Sequence, residues 1–402
     1  MQPPTPTVDR KVLDAFVSAM GKRAWKDRLA ALQKAGAAPT WAGRQTLQRN
    51  CIELTIERLR SRTLTRPPSV AERWIASYAA TAVKSLHSLT PVGREAMLAA
   101  FRATLEGEAC LASPFHLLRT AALQLSRGFA VHFAAYEDAA PFDLLIARDG
   151  VEAEIACDTI SAEDGRGVHR GAWFSLVDRV DPELQTWLRS HPGRYLLKMT
   201  LPKGLRADGD ANLLATLHTR ITAMLQQRTQ ADGDEAAVLR LDPLMLAAAA
   251  QADELGLMPR LRQEFGPEAH LSVTAAGNGV FVMAARAGQE NEVATALRRR
   301  LDAVAPARLT GTRPGILAMF IEDTDRAEWR LLRERLELEG EARQFMTHPE
   351  ATSVVAVTCT SRLELFGMPA PYAEPGGELR FRNPRHPAAK TEALAPAVLS
   401  SV

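Results

Sequence analysis

The sequence predicts an α/β fold, and three observations support this prediction. Apolar residues recur at helical spacing through residues 1–107, between many basic residues, as in amphipathic helices. Residues 142–159 alternate between apolar and polar instead, which is the pattern of strands. Beyond residue 206, apolar runs such as Gly315–Ile321 alternate with helical segments, which is typical of βαβ units. We therefore expect a basic helical region, then a mixed-sheet core, then a further α/β segment.

Composition limits the class of protein. A chain of 402 residues is long enough for two or three domains, and 46% hydrophobic with 24% charged residues is ordinary for a globular protein. The four cysteines form no Cys-x-x-Cys pair, which argues against a zinc finger or a disulfide framework and favours a reducing compartment. No apolar run is long enough to span a membrane, and the first residues lack a signal core. We expect a cytoplasmic protein without membrane contact.

The net charge of +2 conceals an uneven distribution. Residues 1–85 contain 15 Lys and Arg against 6 Asp and Glu, a net charge of +9, which leaves −7 for the remainder. A basic helical region of this kind suits a phosphate backbone, so nucleic acid is a candidate partner. The alternative is an ordinary solvated helical surface. The predicted helices are Val12–Lys34, Gln45–Arg62, Val70–Ser85 with Ser69 as its N-cap, and one that begins at Thr90-Pro91.

The most informative stretch is residues 142–170, which read FDLLIARDGVEAEIACDTISAEDGRGVHR. Its Asp149-Gly150 dipeptide is a strong hairpin signal, so we expect two adjacent strands that meet there. The second strand, Val151–Thr159, alternates cleanly, so one face is apolar. The other face gathers three carboxylates: Glu152, Glu154 and Asp158.

The first strand of this hairpin contains Asp143 within an apolar run, where a carboxylate is costly unless it is paired or bound to a metal. Acid groups from two adjacent strands are a common way to build a site for a hard divalent cation. In one interpretation Asp143, Glu154 and Asp158 therefore hold Mg²⁺. In the other, the strand acids are solvated and Asp143 accepts hydrogen bonds from the backbone.

Residues 113–200 resemble the PD-(D/E)XK nuclease-like superfamily. The resemblance consists of a helix that ends in LSRGF, a strand at Ala130–Ala134, the Asp of PFD, and the strand EIACDTIS. This order of helix, strand, Asp-bearing strand and acidic strand matches that family's core. The resemblance implies a nuclease-like core. The expected organisation is a basic helical region at 1–107, the core at 108–205, an α/β extension at 206–372 and a partly disordered tail at 373–402.

The family's acidic strand reads Glu-x-Lys, and this chain has Ala156 and Asp158 at those positions. Two hypotheses follow, so whether the protein is an enzyme stays open. In one, the core has lost catalysis and binds nucleic acid or a protein partner. In the other, the protein is a Mg²⁺-dependent phosphodiesterase that uses Asp143 and Glu154, or Glu152 in place of Glu154. A third alternative is an unrelated α/β protein that shares the pattern by chance.

The sequence also predicts roles for Lys198 and His116 and disorder at the end of the chain. Lys198, on the predicted strand Arg194–Leu201, is a catalytic candidate if it replaces the lysine missing at 158, and otherwise it extends along a sheet edge. His116 lies on the predicted helix Ser113–Arg127, where we expect a structural histidine at the surface. The Ala/Pro-rich final 15 or so residues are expected to be disordered.

Overall fold

The computed structural model describes residues 8–38, 40–61, 66–107, 109–206, 211–243, 260–261, 264–266, 269–362 and 378–400. The chain divides into two compact units. The first unit comprises Met1–Ala37, Thr46–Ala162 and Ala294–Val402, and the second comprises Ala38–Gln45 and Glu163–Val293. The core expected at 108–205 therefore differs from both units, because its part after Ala162 belongs to the second.

Helices and strands alternate along the described residues, which confirms the α/β fold class. The helices are α1 (Arg10–Met20), α2 (Lys22–Gly36), α3 (Trp41–Arg49), α4 (Cys51–Arg60), α5 (Val70–Ser88), α6 (Pro91–Ala103), α7 (Ala112–Ser126), α8 (Ala134–Glu137), α9 (Arg170–Ser190), α10 (Ala211–Gln227), α11 (Val293–Arg308), α12 (Arg326–Glu334), α13 (Glu337–Phe345) and α14 (Ala395–Val398). The strands are β1 (Ala130–His132), β2 (Leu144–Arg148), β3 (Val151–Ser161), β4 (Arg194–Leu201), β5 (Ala231–Gly233), β6 (Val238–Pro243), β7 (His270–Ala276), β8 (Gly279–Ala287), β9 (Gly315–Glu322), β10 (Val354–Ser361) and β11 (Leu379–Arg382). Among the helices of these residues, none combines the length and apolarity needed to cross a membrane.

The basic N-terminal segments are helical, but two predicted helices are each divided in two. Gly21 separates α1 from α2 with a φ of 94°, a conformation that glycine adopts readily and other residues rarely do. The prediction of one continuous helix at Val12–Lys34 was therefore wrong, because the segment forms two helices. Asn50, with φ −102° and ψ 29°, leaves helical geometry between α3 and α4 and divides the helix predicted at Gln45–Arg62. The start signals of α5 and α6 are confirmed, because Ser69 and Thr90 both accept backbone N–H groups as N-caps.

The first unit contains a six-stranded mixed sheet in the order β1-β2-β3-β9-β10-β11. β1, β2 and β3 pair antiparallel, β9 runs parallel to β3, and β10 runs parallel to β9. β9 and β10 are buried along their whole length, as their continuous apolar sequences require. α7 packs on this sheet, since Leu117 and Ala121 share an apolar cluster with Ile155 and Ile316.

The β2–β3 hairpin forms as predicted. Arg148 pairs with Val151, which leaves Asp149 and Gly150 as a two-residue turn. Both turn residues have positive φ, 52° and 78°, as a type I′ turn requires. β3 continues to Ser161, two residues beyond the predicted end, whereas Asp143 lies one residue before β2 begins.

His116 is structural, but the prediction that it lies at the surface was wrong. Its side chain faces the sheet beside Phe320 and is only 2% exposed. One ring nitrogen lies 3.0 Å from the Ala318 carbonyl oxygen, and the other lies 3.3 Å from the Thr360 hydroxyl. Burial lowers the pKa of His116 to about 4, so the ring is neutral near pH 7. Because both ring nitrogens have partners, a polar residue is tolerated on the apolar side of α7.

The second unit contains a five-stranded mixed sheet in the order β5-β6-β4-β8-β7. Trp173 of α9 is fully buried in the core between the helices and this sheet. The strand predicted at Arg194–Leu201 is confirmed as β4. The Asp181-Pro182 dipeptide predicts the start of a new turn, but Pro182 lies inside the continuous helix α9. Burial of Val180 and Leu184 on either side of it outweighs the lost backbone hydrogen bond.

Other predicted boundaries moved or lie outside the described residues. The Asn278-Gly279 dipeptide predicts a hairpin turn, and the turn lies one residue earlier, because Ala276 pairs with Gly279. The sequence also predicts one helix at Asp325–Leu338, but α12 ends at Glu334, and Leu336, with φ 57°, separates it from α13. A further helix that the sequence predicts at Leu244–Phe265 lies mostly outside the described residues.

The tail predicted to be partly disordered at 373–402 is ordered over residues 378–400, so the prediction of disorder for the last 15 or so residues was wrong up to residue 400. β11 pairs antiparallel with β10 and adds an edge to the first sheet. Leu394, Ala397 and Val398 then bury against the apolar cluster of that sheet. The alanine-rich sequence did not indicate this packing, because short helical segments owe their stability to tertiary contacts.

Candidate functional site

The predicted acids lie in or beside one sheet, that of β3. The fourth predicted site residue, Lys198, lies in another sheet. Glu154 and Asp158 lie four residues apart on β3, so their side chains share a face. Asp143 precedes the adjacent strand, and its N–H donates to the Ile155 carbonyl at 2.9 Å. Lys198 lies on β4 in the sheet of the second unit, whereas the neighbours of β3 are β2 and β9. Its ammonium pairs with Asp242 at 3.3 Å.

Asp143 is held by a backbone group and an arginine. Its Oδ2 accepts the Cys157 N–H at 2.6 Å and a guanidinium N–H of Arg308 at 2.8 Å. Burial raises the pKa of the Asp143 carboxyl, and Arg308 and the Cys157 N–H oppose that rise. These two donors partly offset the free-energy cost of burying the carboxylate. The Cys157 N–H is a backbone donor of the kind expected in the second interpretation of Asp143.

Glu154 is fully buried and is satisfied by the loop that follows α11. Its Oε2 accepts the Thr310 N–H at 2.9 Å, and its Oε1 accepts the Thr310 hydroxyl at 2.5 Å. Arg313 adds positive charge, with Nη1 3.6 Å from Oε1. The same guanidinium donates to Glu152 at 2.7 Å. Both candidates for the relocated acid are therefore engaged by residues 310–313.

Asp158 makes the most regular contact of the group. Arg300 grips both carboxylate oxygens, with Nε 2.5 Å from Oδ2 and Nη2 3.0 Å from Oδ1. Such a fork-like pair is among the strongest polar contacts available to a carboxylate. Between Glu154 and Asp158, the fully buried Ala156 offers no ligand atom. The face of β3 is thus neutralised by arginines at each of its acids.

The predicted Mg²⁺ ligands do not converge on one point. Within the described part of the chain, one group of three potential ligands has its donor atoms all within 4.8 Å of one another, and it consists of Asp302, His348 and Glu350. The acids of β3 and Asp143 form no such group. A guanidinium beside each acid also repels a divalent cation. The set Asp143, Glu154 and Asp158 therefore does not fit a Mg²⁺ site in this arrangement.

Sequence reasoning missed the residues that engage these acids. Arg300, Arg308, Thr310 and Arg313 lie 142 to 165 positions from their partners in the chain. A signal was present, because residues 297–313 read LRRRLDAVAPARLTGTR and contain five arginines in a short span. No local sequence pattern links that span to β3. The span covers most of α11 and ends just before β9, and β9 pairs with β3.

Some cations of the basic N-terminal region are engaged inside it, and others are exposed. Arg28 donates to Asn50 and to the carbonyls of Gly107 and Ala109. Several other arginines pair with acids of the same helices, and these are Arg58 and Arg66 with Glu72, and Arg60 with Asp14 and Glu57. The lysines are instead exposed: Lys11, Lys22, Lys26, Lys34 and Lys84. Buried and paired arginines therefore connect the helices, and the exposed positive charge of the described residues up to 85 comes from these lysines together with Arg10, Arg23, Arg44 and Arg66.

α2 presents four of these exposed cations. Lys22, Arg23, Lys26 and Lys34 are all exposed, whereas Trp25 and Leu32 face the core. Arg23, Lys26 and Lys34 recur at spacings of three and eight residues, so they lie along one side of the helix.

Comparison with protein-family models, with the curated proteins and with the solved structures found no match to this chain. The resemblance to a nuclease-like core thus depends on residues 113–200 and on the order of α7, β1, β2 and β3.

Proposed function

We propose that this protein is a non-catalytic, nuclease-like protein of the cytosol that binds nucleic acid. Two features support the nuclease-like core. α7, β1, β2 and β3 occur in the chain order of the PD-(D/E)XK pattern, with the short α8 between β1 and β2, and Asp143 immediately precedes β2. A cytosolic location suits the four cysteines, none of which forms a disulfide.

The absence of catalysis is inferred from one observation above all, the arginine beside each acid. Metal-assisted hydrolysis needs carboxylates that bind a cation and a positive group that stabilises the phosphate. Here Asp143 binds Arg308, Asp158 binds Arg300, and Glu154 is taken by Thr310. Asp158 also puts a negative charge where the family pattern has lysine.

Nucleic-acid binding is inferred from the lysines of α2. Lysine ammonium groups neutralise phosphates and release condensed counterions, which gives affinity without sequence preference and a steep dependence on salt. Among the acids of α2, Asp27 alone offsets these charges, 3.8 Å from Arg23. We expect weak binding through this face, to single and double strands alike.

Charge-matched variants test the proposal. In the triple variant Lys22→Gln, Lys26→Gln, Lys34→Gln, we expect weaker binding of labelled DNA and RNA by fluorescence anisotropy. The slope of log affinity against log salt is expected to fall by about 2 to 3, one for each lost phosphate contact. The control triple Lys84→Gln, Lys203→Gln, Lys390→Gln removes equal charge from other exposed positions and should leave the slope nearly unchanged.

Equal losses in both triple variants would contradict a defined binding face. No measurable binding by the wild type would contradict nucleic-acid binding altogether and leave a protein partner as the remaining role for the core.

A further inference from the structure

Three potential metal ligands meet between α11 and the start of β10, away from the acids of β3. Asp302 lies on α11, His348 precedes the short 3₁₀ helix Pro349–Ala351, and Glu350 lies within it. His348 Nδ1 is 2.8 Å from Asp302 Oδ1. With a Glu350 carboxylate oxygen, these atoms all lie within 4.8 Å of one another.

These distances suit one bound ion. Two ligands that are each about 2.1 Å from a tetrahedral Zn²⁺ lie about 3.4 Å apart. That separation is longer than the 2.8 Å between His348 Nδ1 and Asp302 Oδ1 and shorter than the 4.8 Å within which all three donor atoms lie. Small side-chain rotations therefore suffice to direct all three donors at a common point. Asp302 and His348 are each 28% exposed, and Glu350 is exposed, so the point is open to solvent.

The donor set indicates the class of cation. One imidazole nitrogen and two carboxylate oxygens match borderline first-row ions such as Zn²⁺ and Co²⁺, whereas Mg²⁺ prefers oxygen and water alone. Three protein ligands leave a fourth position to water. Pro349 fixes the backbone between His348 and Glu350, which limits the conformational freedom that binding must remove.

The surrounding charge is consistent with a divalent ion. Arg298 approaches Asp302 at 3.9 Å but makes a closer pair with Glu341, at 2.6 Å. Asp302, Glu350 and Glu341 together carry three negative charges, and Arg298 supplies one positive charge. Two negative charges remain, which is the charge that a divalent cation neutralises.

We propose that Asp302, His348 and Glu350 form a solvent-accessible site for a zinc-type divalent cation. The ion replaces the contact between His348 Nδ1 and Asp302 Oδ1, and any proton on Nδ1 passes to solvent or to the other ring nitrogen as the metal binds. The ion then joins α11 to the segment that leads into β10. Binding to the folded state alone makes the ion a stabilising ligand of the first unit.

Titration of the full-length protein with Zn²⁺ and Co²⁺ tests the site. We expect one equivalent to bind by calorimetry, a rise in Tm with Zn²⁺, and visible Co²⁺ absorption without a thiolate charge-transfer band. His348→Gln should weaken binding at least tenfold and remove the rise in Tm. Glu350→Gln, at an exposed position that does not endanger folding, should weaken binding as well.

The matched control is His218→Gln, which removes an imidazole that pairs with one carboxylate, Glu183, at 3.1 Å. Its affinity should equal that of the wild type. Absence of binding by the wild type, binding unaffected by both His348→Gln and Glu350→Gln, or a thiolate band with Co²⁺ would each overturn the proposal.

Discussion

The carboxylate of Asp143 is stabilised by two donors, and one of them is an arginine that reaches it from α11. We expect Arg308→Met to lower the free energy of unfolding by about 2 kcal/mol at pH 7, because a half-buried charge loses its partner. Burial already raises the pKa of Asp143. A raised pKa means that the folded protein favours the protonated form of Asp143, so Asp143 contributes stability below its ordinary pKa of 3.8 and loses that contribution as pH rises. Arg308 matters most where Asp143 is charged. Removal of Arg308 should therefore cost less at pH 4 than at pH 7.

Urea denaturation at both pH values measures this difference. Arg23→Met is the control, because that guanidinium is 97% exposed beside Asp27 and such pairs contribute little. A loss in Arg308→Met that is equal at pH 4 and pH 7 would show that packing, not charge, is what Arg308 provides.

Thr310 offers a second test at the residue scale. Its hydroxyl and its N–H both serve the buried Glu154. Thr310→Val keeps the shape and the N–H but removes the hydroxyl, and we expect a loss of about 2 kcal/mol in unfolding free energy, as for hydrogen bonds to charged groups. Thr312→Val is the control, since the Thr312 hydroxyl bonds to Thr310 and not to the carboxylate. Equal losses would contradict a specific role for the Thr310 hydroxyl.

At the scale of elements, the β2–β3 hairpin sets the register of the acidic strand through its turn. Gly150 has a φ of 78°, and no atom lies within 4 Å of the Cβ that an alanine would add. Gly150→Ala should therefore cost about 1 kcal/mol through backbone conformation alone. Gly340, in helix α13 and also without neighbours at that distance, is the matched control, and Gly340→Ala should be neutral or stabilising. Thermal and urea unfolding compare the two, and a stable Gly150→Ala protein would contradict the type I′ turn.

Local sequence signals predicted this hairpin, the N-caps of α5 and α6, and the strand β4, because each depends on residues close in the chain. Breaks at Gly21 and Asn50 were missed, since an apolar stripe continues across both positions and only backbone geometry ends the helix. The partners of the β3 acids were missed for a different reason. Arg300 and Arg308 lie near β3 because β9, which follows α11, pairs with β3. The residue pattern of α11 does not predict that pairing, and neither does the pattern of β3.

At the scale of the whole molecule, the sequence predicted the positions of strands in the chain better than the sheet to which each strand belongs. Lys198 lies on a correctly predicted strand, yet that strand is part of the second unit. Residues 378–400 lie in the tail that was expected to be partly disordered, and they complete the first sheet through β11. Both outcomes depend on long-range pairing, so alternation and composition within a segment do not determine them.

We propose that a nuclease-like core has lost its chemistry because arginines and Thr310 engage its acids. The most direct test of this proposal is a cleavage assay with Mg²⁺ or Mn²⁺ on single- and double-stranded DNA and on RNA, which compares the wild type with Asp143→Asn purified in parallel. We expect no cleavage by the wild type above the level of Asp143→Asn. Robust cleavage by the wild type that Asp143→Asn abolishes would contradict the account and establish a metal-dependent phosphodiesterase.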